Sequence, residues 1–275
     1  MNANLPPKAS KIVVNQWLAE ATAALQVAGI TSARLDAELL LANELDVNRS
    51  WLLAHNTEQV TVSSILYTQL ARRVQREPLA YITGHKEFYG FDFQVTPAVL
   101  IPRPETEALV DFVKNLQPEG AIVDVGTGSG CIAVSLALTC PQAVVHAIDS
   151  SQEALEIATK NAQQLQAAIT FHRSNLLSNY RGPTPHIIVA NLPYVDPSWE
   201  RSPETKFEPK TALFADQNGL QLMFALLHQA AELLPLGGSI ILEADPRQFP
   251  ALQEEATNLG FSLLHADGFM IAFQR

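Results

Sequence analysis

The sequence predicts an α/β fold in which a doubly wound parallel sheet is preceded by a small helical bundle and joined to it through a β-hairpin. Three observations predict it. Short β-branched runs at residues 122–125, 144–148, 169–172, 186–190 and 239–243 alternate with helical stretches, as in successive βαβ units. Residues 10–76 carry no such alternation and read as helix throughout. Between Gly84 and Leu100 the aromatic residues Phe88, Tyr89, Phe91 and Phe93 flank Gly90 as they would in a hairpin. The expected boundaries are a helical domain over residues 1–85, a hairpin linker over 86–100 and an α/β domain over 101–275.

In the first domain, spacing predicts helices over residues 12–28, 32–45, 49–55 and 62–76. Leu18 and Leu25 on the first, with Leu35, Leu39 and Leu40 on the second, have core-facing positions. No combination of side chains with catalytic chemistry occurs here, so the domain reads as a stabilising cap or as a docking module. Arg72, Arg73 and Arg76 lie within two helical turns, as a local basic patch or a solvated face. Beyond the hairpin, the prolines of Ile101-Pro-Arg-Pro-Glu105 forbid regular ladder pairing and stiffen the entry to a helix over 105–115.

The stretch Ile122-Val-Asp-Val-Gly126-Thr-Gly128-Ser-Gly130 puts alternate glycines between a buried strand and a helix over 131–138. Glycine lets the backbone approach a ligand closely, and free N–H groups at a helix start favour electron-rich partners. Gly126, Thr127, Gly128, Ser129 and Gly130 are candidates for holding a nucleotide-like cofactor; the alternative is a tight turn alone. A dinucleotide fingerprint needs a small residue where Cys131 stands, which weakens a nicotinamide or flavin reading. Asp149 ends the next strand near the spacing at which an acidic residue accepts hydrogen bonds from ribose hydroxyls. Ser150 and Glu153 have the spacing of a capping box that would start a helix through residue 166.

The third strand delivers Asn175 and Leu176 to the edge that carries Gly126 and Asp149. The fourth ends in Asn191-Leu-Pro-Tyr194, where open α/β sheets place their ligands. Asn191 offers a carbonyl acceptor and two donors, Pro193 stiffens the turn, and Tyr194 offers a flat face for stacking. Such a unit could grip a planar amide or amine; otherwise it is an Asn-initiated turn. A loop to residue 218, a helix to 234, the strand 239–243, a helix over 247–259 and a terminal antiparallel hairpin (261–264 with 269–273) complete the chain.

Composition narrows the function. The 275 residues are 47% hydrophobic, without a run long enough to cross a bilayer. The opening MNANLPPKAS lacks the apolar stretch of a secretory signal, so the cytoplasm is expected. Cys131 and Cys140 have neither zinc nor CxxC spacing and the seven histidines are scattered, so no metal site is expected. A net charge of −10 argues against direct nucleic-acid binding.

From Arg76 to about Gly238 the sequence resembles the HemK-like glutamine methyltransferases that modify peptide chain release factors (the PrmC family). The resemblance rests on Glu77-Pro-Leu-Ala-Tyr-Ile-Thr-Gly84, Glu87-Phe-Tyr-Gly-Phe91, Val99-Leu-Ile-Pro-Arg-Pro-Glu-Thr-Glu107, the stretch from Asp124 to Gly130, Asn191-Leu-Pro-Tyr194, and Glu208-Pro with Ala212-Leu213. It implies a class I S-adenosylmethionine-dependent methyltransferase (Rossmann-like) domain and methylation of the side-chain amide nitrogen of a GGQ glutamine in release factors. It also implies S-adenosylmethionine as cofactor, Arg103 and Thr106 at the cofactor and substrate site, and docking of release factors on the helical domain. Asn191, Leu192, Pro193 and Tyr194 would be the catalytic unit, Asn191 also reaching the cofactor; the Asn191 oxygen and the Leu192 carbonyl would accept from the amide NH2 and turn its nitrogen toward the methyl. The chain departs from the family at Leu192, where proline is usual, at Asn175, where Asp commonly accepts from the adenine amino group, at Ala215-Asp216, where glycines are usual, and at Asp267-Gly-Phe-Met270. Two other readings stay open: a methyltransferase acting on a ribosomal-protein glutamine or a nucleic-acid exocyclic amine, and a non-catalytic cofactor-binding scaffold.

Overall fold

The computed structural model describes residues 9–275. Its contacts divide the chain into two compact units, one running to Gly84 and including Ser202–Phe207, the other made of His85–Arg201 and Glu208–Arg275. The first eight residues of the expected helical domain lie outside the described residues.

The first unit contains β1 (Ala9–Val13), α1 (Val14–Val27), α2 (Ala33–Leu45), α3 (Arg49–Ala54), β2 (Gln59–Ser63), α4 (Ser64–Val74) and α5 (Leu79–Thr83). The expectation of helix throughout is corrected at β1 and β2, which pair antiparallel from Ala9 opposite Ser63 to Val13 opposite Gln59. Both segments are rich in β-branched residues, and cross-strand packing overrides their helix-like spacing. Leu35 is also corrected: it is 40% exposed, and the inward stripe of α2 is Ala33, Ala37, Leu40 and Leu41.

Arg72 and Arg73 of α4 and Arg76 just beyond its end are all ion-paired, and Arg72 is the most exposed of the three. Arg73 is buried and donates to Asp36 at 2.7 Å and to Glu204 at 3.1 Å. Arg76 donates to Glu204 at 2.9 Å and to the Gly29 carbonyl at 2.6 Å, and Arg72 pairs with Glu77. Burial alone would raise the Glu204 carboxyl, but the donors from Ser202, Arg76 and Arg73 hold it down at about 2. The three charges are consumed in tying the unit together.

The second unit begins with β3 (His85–Phe88) and β4 (Phe91–Gln94), the expected hairpin, whose Phe88 and Phe93 are buried. Tyr89 and Gly90 both take positive φ, as a two-residue hairpin turn requires. After a 3₁₀ turn at Pro104–Thr106 come α6 (Glu107–Asn115), β5 (Gly120–Val125), α7 (Cys131–Thr139), β6 (Ala143–Asp149), α8 (Gln152–Gln164), β7 (Ile169–Arg173), β8 (Pro185–Ala190), α9 (Lys210–Leu213), α10 (Gln221–Leu233), β9 (Ser239–Glu243), α11 (Phe249–Asn258), β10 (Ser262–Asp267) and β11 (Met270–Gln274). The seven-stranded sheet has the order β10-β11-β9-β8-β5-β6-β7. Strands β9, β8, β5, β6 and β7 run parallel, while the terminal hairpin adds antiparallel through β11 to β9.

Successive residues of β5 serve opposite cores. Val123 and Val125 face one cluster with Met223 and Leu226 of α10 and Leu252 of α11, while Ile122 faces another with Leu109 of α6 and Leu136 of α7. Order reverses between β5 and β8, so their carboxyl ends form the switch point where such sheets bind ligands. The expected cap of α8 moves by one residue: Ser151, not Ser150, accepts from the Ala154 N–H, because Asp149 still belongs to β6 and its carboxylate takes the Ser151 N–H.

Asn161 of α8, fully buried, ties the hairpin to the glycine loop. It accepts from the Gln94 N–H at 2.8 Å and donates to the carbonyls of Gln94 at 3.0 Å and Ser129 at 2.8 Å. Asn161→Ala is expected to lower unfolding free energy by about 2–3 kcal/mol in urea titrations, from three lost bonds of roughly 1 kcal/mol each. An unchanged midpoint and slope would show that the tie is dispensable.

Candidate active site

The glycine loop hangs from the end of β6. The N–H groups of Gly126 and Thr127 both donate to the Ile148 carbonyl, at 2.8 and 2.9 Å, and the Gly128 N–H donates to Asp149 Oδ2 at 2.9 Å. Gly126 has φ +76°, which favours glycine, and a Cβ there would stand 2.8 Å from Leu192 Cδ2, so that the leucine end would have to shift. The Thr127 hydroxyl donates to buried Asp124 at 2.6 Å.

A cavity of about 200 Å³ opens at this edge. The loop contributes Gly126, Thr127, Gly128 and Ser129 to its wall, and β6 contributes Asp149. Asn175 and Leu176 line it after β7, Asn191, Leu192 and Pro193 after β8, and Arg103 and Thr106 from the proline-rich entry to α6. Two expected site residues lie elsewhere. Gly130 caps α7 and brings it against α8, a Cβ there meeting that of Ala158 at 3.1 Å. Tyr194 packs against the sheet core and donates its hydroxyl to Glu243 at 3.2 Å rather than lining the cavity.

Glu243, which the sequence did not single out, supports the site from behind. Glu243, at the end of β9, is 2% exposed and accepts from the Thr106 hydroxyl at 2.6 Å. Thr106 in turn accepts from Asn191 Nδ2 at 3.0 Å. Burial pushes the Glu243 carboxyl up to about 7 against the hydrogen bonds of Thr106, Tyr194 and Asn191, and burial likewise carries Asp124 to about 7. Glu208, buried, accepts from Arg103 at 2.7 Å; burial outweighs that guanidinium and leaves the carboxyl above its ordinary range. Burial pushes the Cys131 thiol up to about 12, which leaves it protonated and poorly nucleophilic. The only signal for Glu243 in the sequence is an acidic residue closing an apolar strand.

The donor set fits an adenosyl cofactor. Each Asp149 oxygen accepts one backbone N–H, from Gly128 or Ser151, and keeps a lone pair for a ribose hydroxyl. Ile148, Ala154 and Leu176 give the cavity apolar surface for a flat base, with the Asn175 amide beside it. The acidic residues around the loop suit a ligand that carries positive charge.

Glu243 also sets a pH dependence of stability. Its carboxyl is raised from 4.5 to about 7 by folding, so its contribution to stability is complete below about 4.5 and is lost as pH rises through 7. Glu243→Gln cannot ionise. Relative to the native protein it is expected to gain about 3 kcal/mol between pH 5 and 8 in urea titrations; a difference that stays constant with pH would contradict the raised carboxyl.

Comparison with known proteins places the chain in a family. Residues 16–84 match the PrmC N-terminal domain and residues 104–204 the methyltransferase small domain. A release factor glutamine methyltransferase from Koribacter versatilis is 43% identical over 236 residues, covering 81% of this chain and 84% of that protein. One of the same name from Deinococcus radiodurans is 37% identical over 254 residues, 89% of this chain and 90% of that protein. A solved methyltransferase from Pyrococcus furiosus has a TM-score of 0.54 at 18% identity, over 75% of this chain and 98% of that one, which is a likeness of fold. On the extent of the first two matches, the chain belongs to the release factor glutamine methyltransferase family.

Proposed function

We infer that the chain transfers a methyl group from S-adenosylmethionine to the side-chain amide nitrogen of the GGQ glutamine of peptide chain release factors. One observation carries this reading: Asn191-Leu-Pro-Tyr194 ends β8 so that Asn191 opens on the same cavity as the glycine loop and Asp149, in a chain of this family. When bound, S-adenosylmethionine supplies a methyl group activated by its sulfonium. Asp149, the loop from Gly126 to Ser129, Asn175 and Leu176 are the residues that would hold it.

An amide nitrogen is a poor nucleophile because its lone pair is delocalised into the carbonyl. The Asn191 oxygen and the Leu192 carbonyl accept from the substrate NH2, fix the direction of its nitrogen and stabilise the positive charge that develops there. The proton left on the alkylated amide is strongly acidic and passes to water without a base. Leu192 in place of the usual proline keeps the carbonyl, and its buried side chain packs over Gly126.

Release factors are then the protein partner, recognised beyond the glutamine by the helical unit that matches the PrmC N-terminal domain. Among the described residues no helix is long and apolar enough to cross a membrane. A substrate of the translation machinery assigns the chain to the cytoplasm, and its acidic balance favours protein over nucleic acid.

The test is transfer of labelled methyl from S-adenosylmethionine to purified, unmodified release factor. Label is expected on the intact GGQ protein and not on a GGA version, with Asn191→Ala slower by about 100-fold or more. Cofactor binding without label on release factor would overturn the reading.

A further inference from the structure

Asn191 has two chemically different ends, and gripping an amide NH2 requires its oxygen end. Three side chains from separate parts of the second unit decide which end faces the cavity. Asn191 Nδ2 donates to Thr106 Oγ1 at 3.0 Å. A threonine hydroxyl has a single hydrogen, and that of Thr106 goes to Glu243 Oε2 at 2.6 Å. Thr106 therefore shows Asn191 lone pairs only. Turning the amide over would set oxygen against oxygen beside Thr106 and Glu243, which are each 2% exposed.

The end of the relay is itself fixed. Glu243 Oε1 accepts from the Tyr194 hydroxyl at 3.2 Å, so both carboxyl oxygens are engaged, and the Asn191 amide also donates toward this carboxyl, which favours the same orientation. The relay needs an acceptor at Oε2, which a carboxylate oxygen or an amide carbonyl oxygen in that place supplies. Asn191 and Tyr194 stand on the turn after β8, Thr106 before α6 and Glu243 at the end of β9, so the fold, not local sequence, assembles the chain of donors.

We propose that Thr106 and Glu243 are positioning residues that hold the Asn191 side chain with its oxygen toward the acceptor amide. The inference rests on the methyl-transfer reading above and adds the groups that set the acceptor geometry. Neither residue needs to touch the substrate amide for this role.

The experiment compares Thr106→Val, Thr106→Ser and Glu243→Gln with native protein in steady-state methylation of release factor, with Asn191→Ala as control. Thr106→Val removes the hydroxyl and keeps the shape. It is expected to lower kcat about tenfold or more, while KM for release factor stays within about twofold, because one aligned hydrogen bond is lost and docking is untouched. Thr106→Ser restores most of that kcat, and so does Glu243→Gln, whose amide oxygen can accept from Thr106 while its NH2 faces Tyr194. Independently of turnover, the Asn191 side-chain NH2 resonances, assigned by their loss in Asn191→Ala, exchange with solvent faster in Thr106→Val than in native protein.

Native kcat in Thr106→Val beside an inactive Asn191→Ala would overturn the proposal, as would Glu243→Gln as slow as Thr106→Val, which would make charge the operative property. If the native protein leaves release factor unlabelled, the functional reading fails instead, and the exchange measurement still decides whether the relay orients Asn191.

Discussion

Two backbone N–H groups converging on the Ile148 carbonyl set the geometry of the whole α/β unit's ligand edge. They hang the glycine loop from the neighbouring strand rather than from its own, so the loop's position follows from the β5–β6 register. Asp149, one residue further along β6, then meets the Gly128 N–H from the side and finishes the anchoring. With the loop fixed there, α7 can begin only where Gly130 leaves it, and the cavity forms between the loop and the turn after β8. The same edge would be shapeless if β5 and β6 slipped by one residue, because every inward side chain would change faces.

The site is built from carboxyl groups that the interior tolerates at a cost. Asp124, Glu208 and Glu243 are all buried, and burial raises each. Only Glu208 meets a guanidinium directly; Asp124 and Glu243 are met by hydroxyl and amide donors. A buried ion pair replaced by apolar groups would often be more stable, so these groups reflect use of the site more than stability of the fold. Their cost is carried by the two apolar clusters on either side of the sheet, which include most of the inward residues of β5, β8 and β9.

Much of this was legible in sequence wherever cause and effect lie within a few residues. Gly126, Asp149 and Asn191 could be read because each closes a β-branched run and parallel strands bring their carboxyl ends together. Glu243 could not, since any strand may end in an acidic residue and only the β8–β9 neighbourhood gives this one its meaning. Arg73 and Arg76 resembled a solvated face because Glu204 lies 131 and 128 residues away in the chain. The β1–β2 ribbon was hidden for the same reason, its partners being some fifty residues apart, and the contact of Tyr194 with Glu243 could not be read because a residue's direction after a turn depends on what it packs against. Ser151 displaced Ser150 as the cap on a matter of one residue, settled by where β6 ends.

The contact between Leu192 Cδ2 and the missing Cβ of Gly126 makes these two positions, 66 residues apart, a volume pair. The leucine fills the space that any side chain at 126 would need, so the two sites are epistatic. Shrinking Leu192 would relieve the clash at position 126 but leave its φ of +76° untouched. Position 126 is therefore confined to glycine by its backbone conformation, whatever stands opposite.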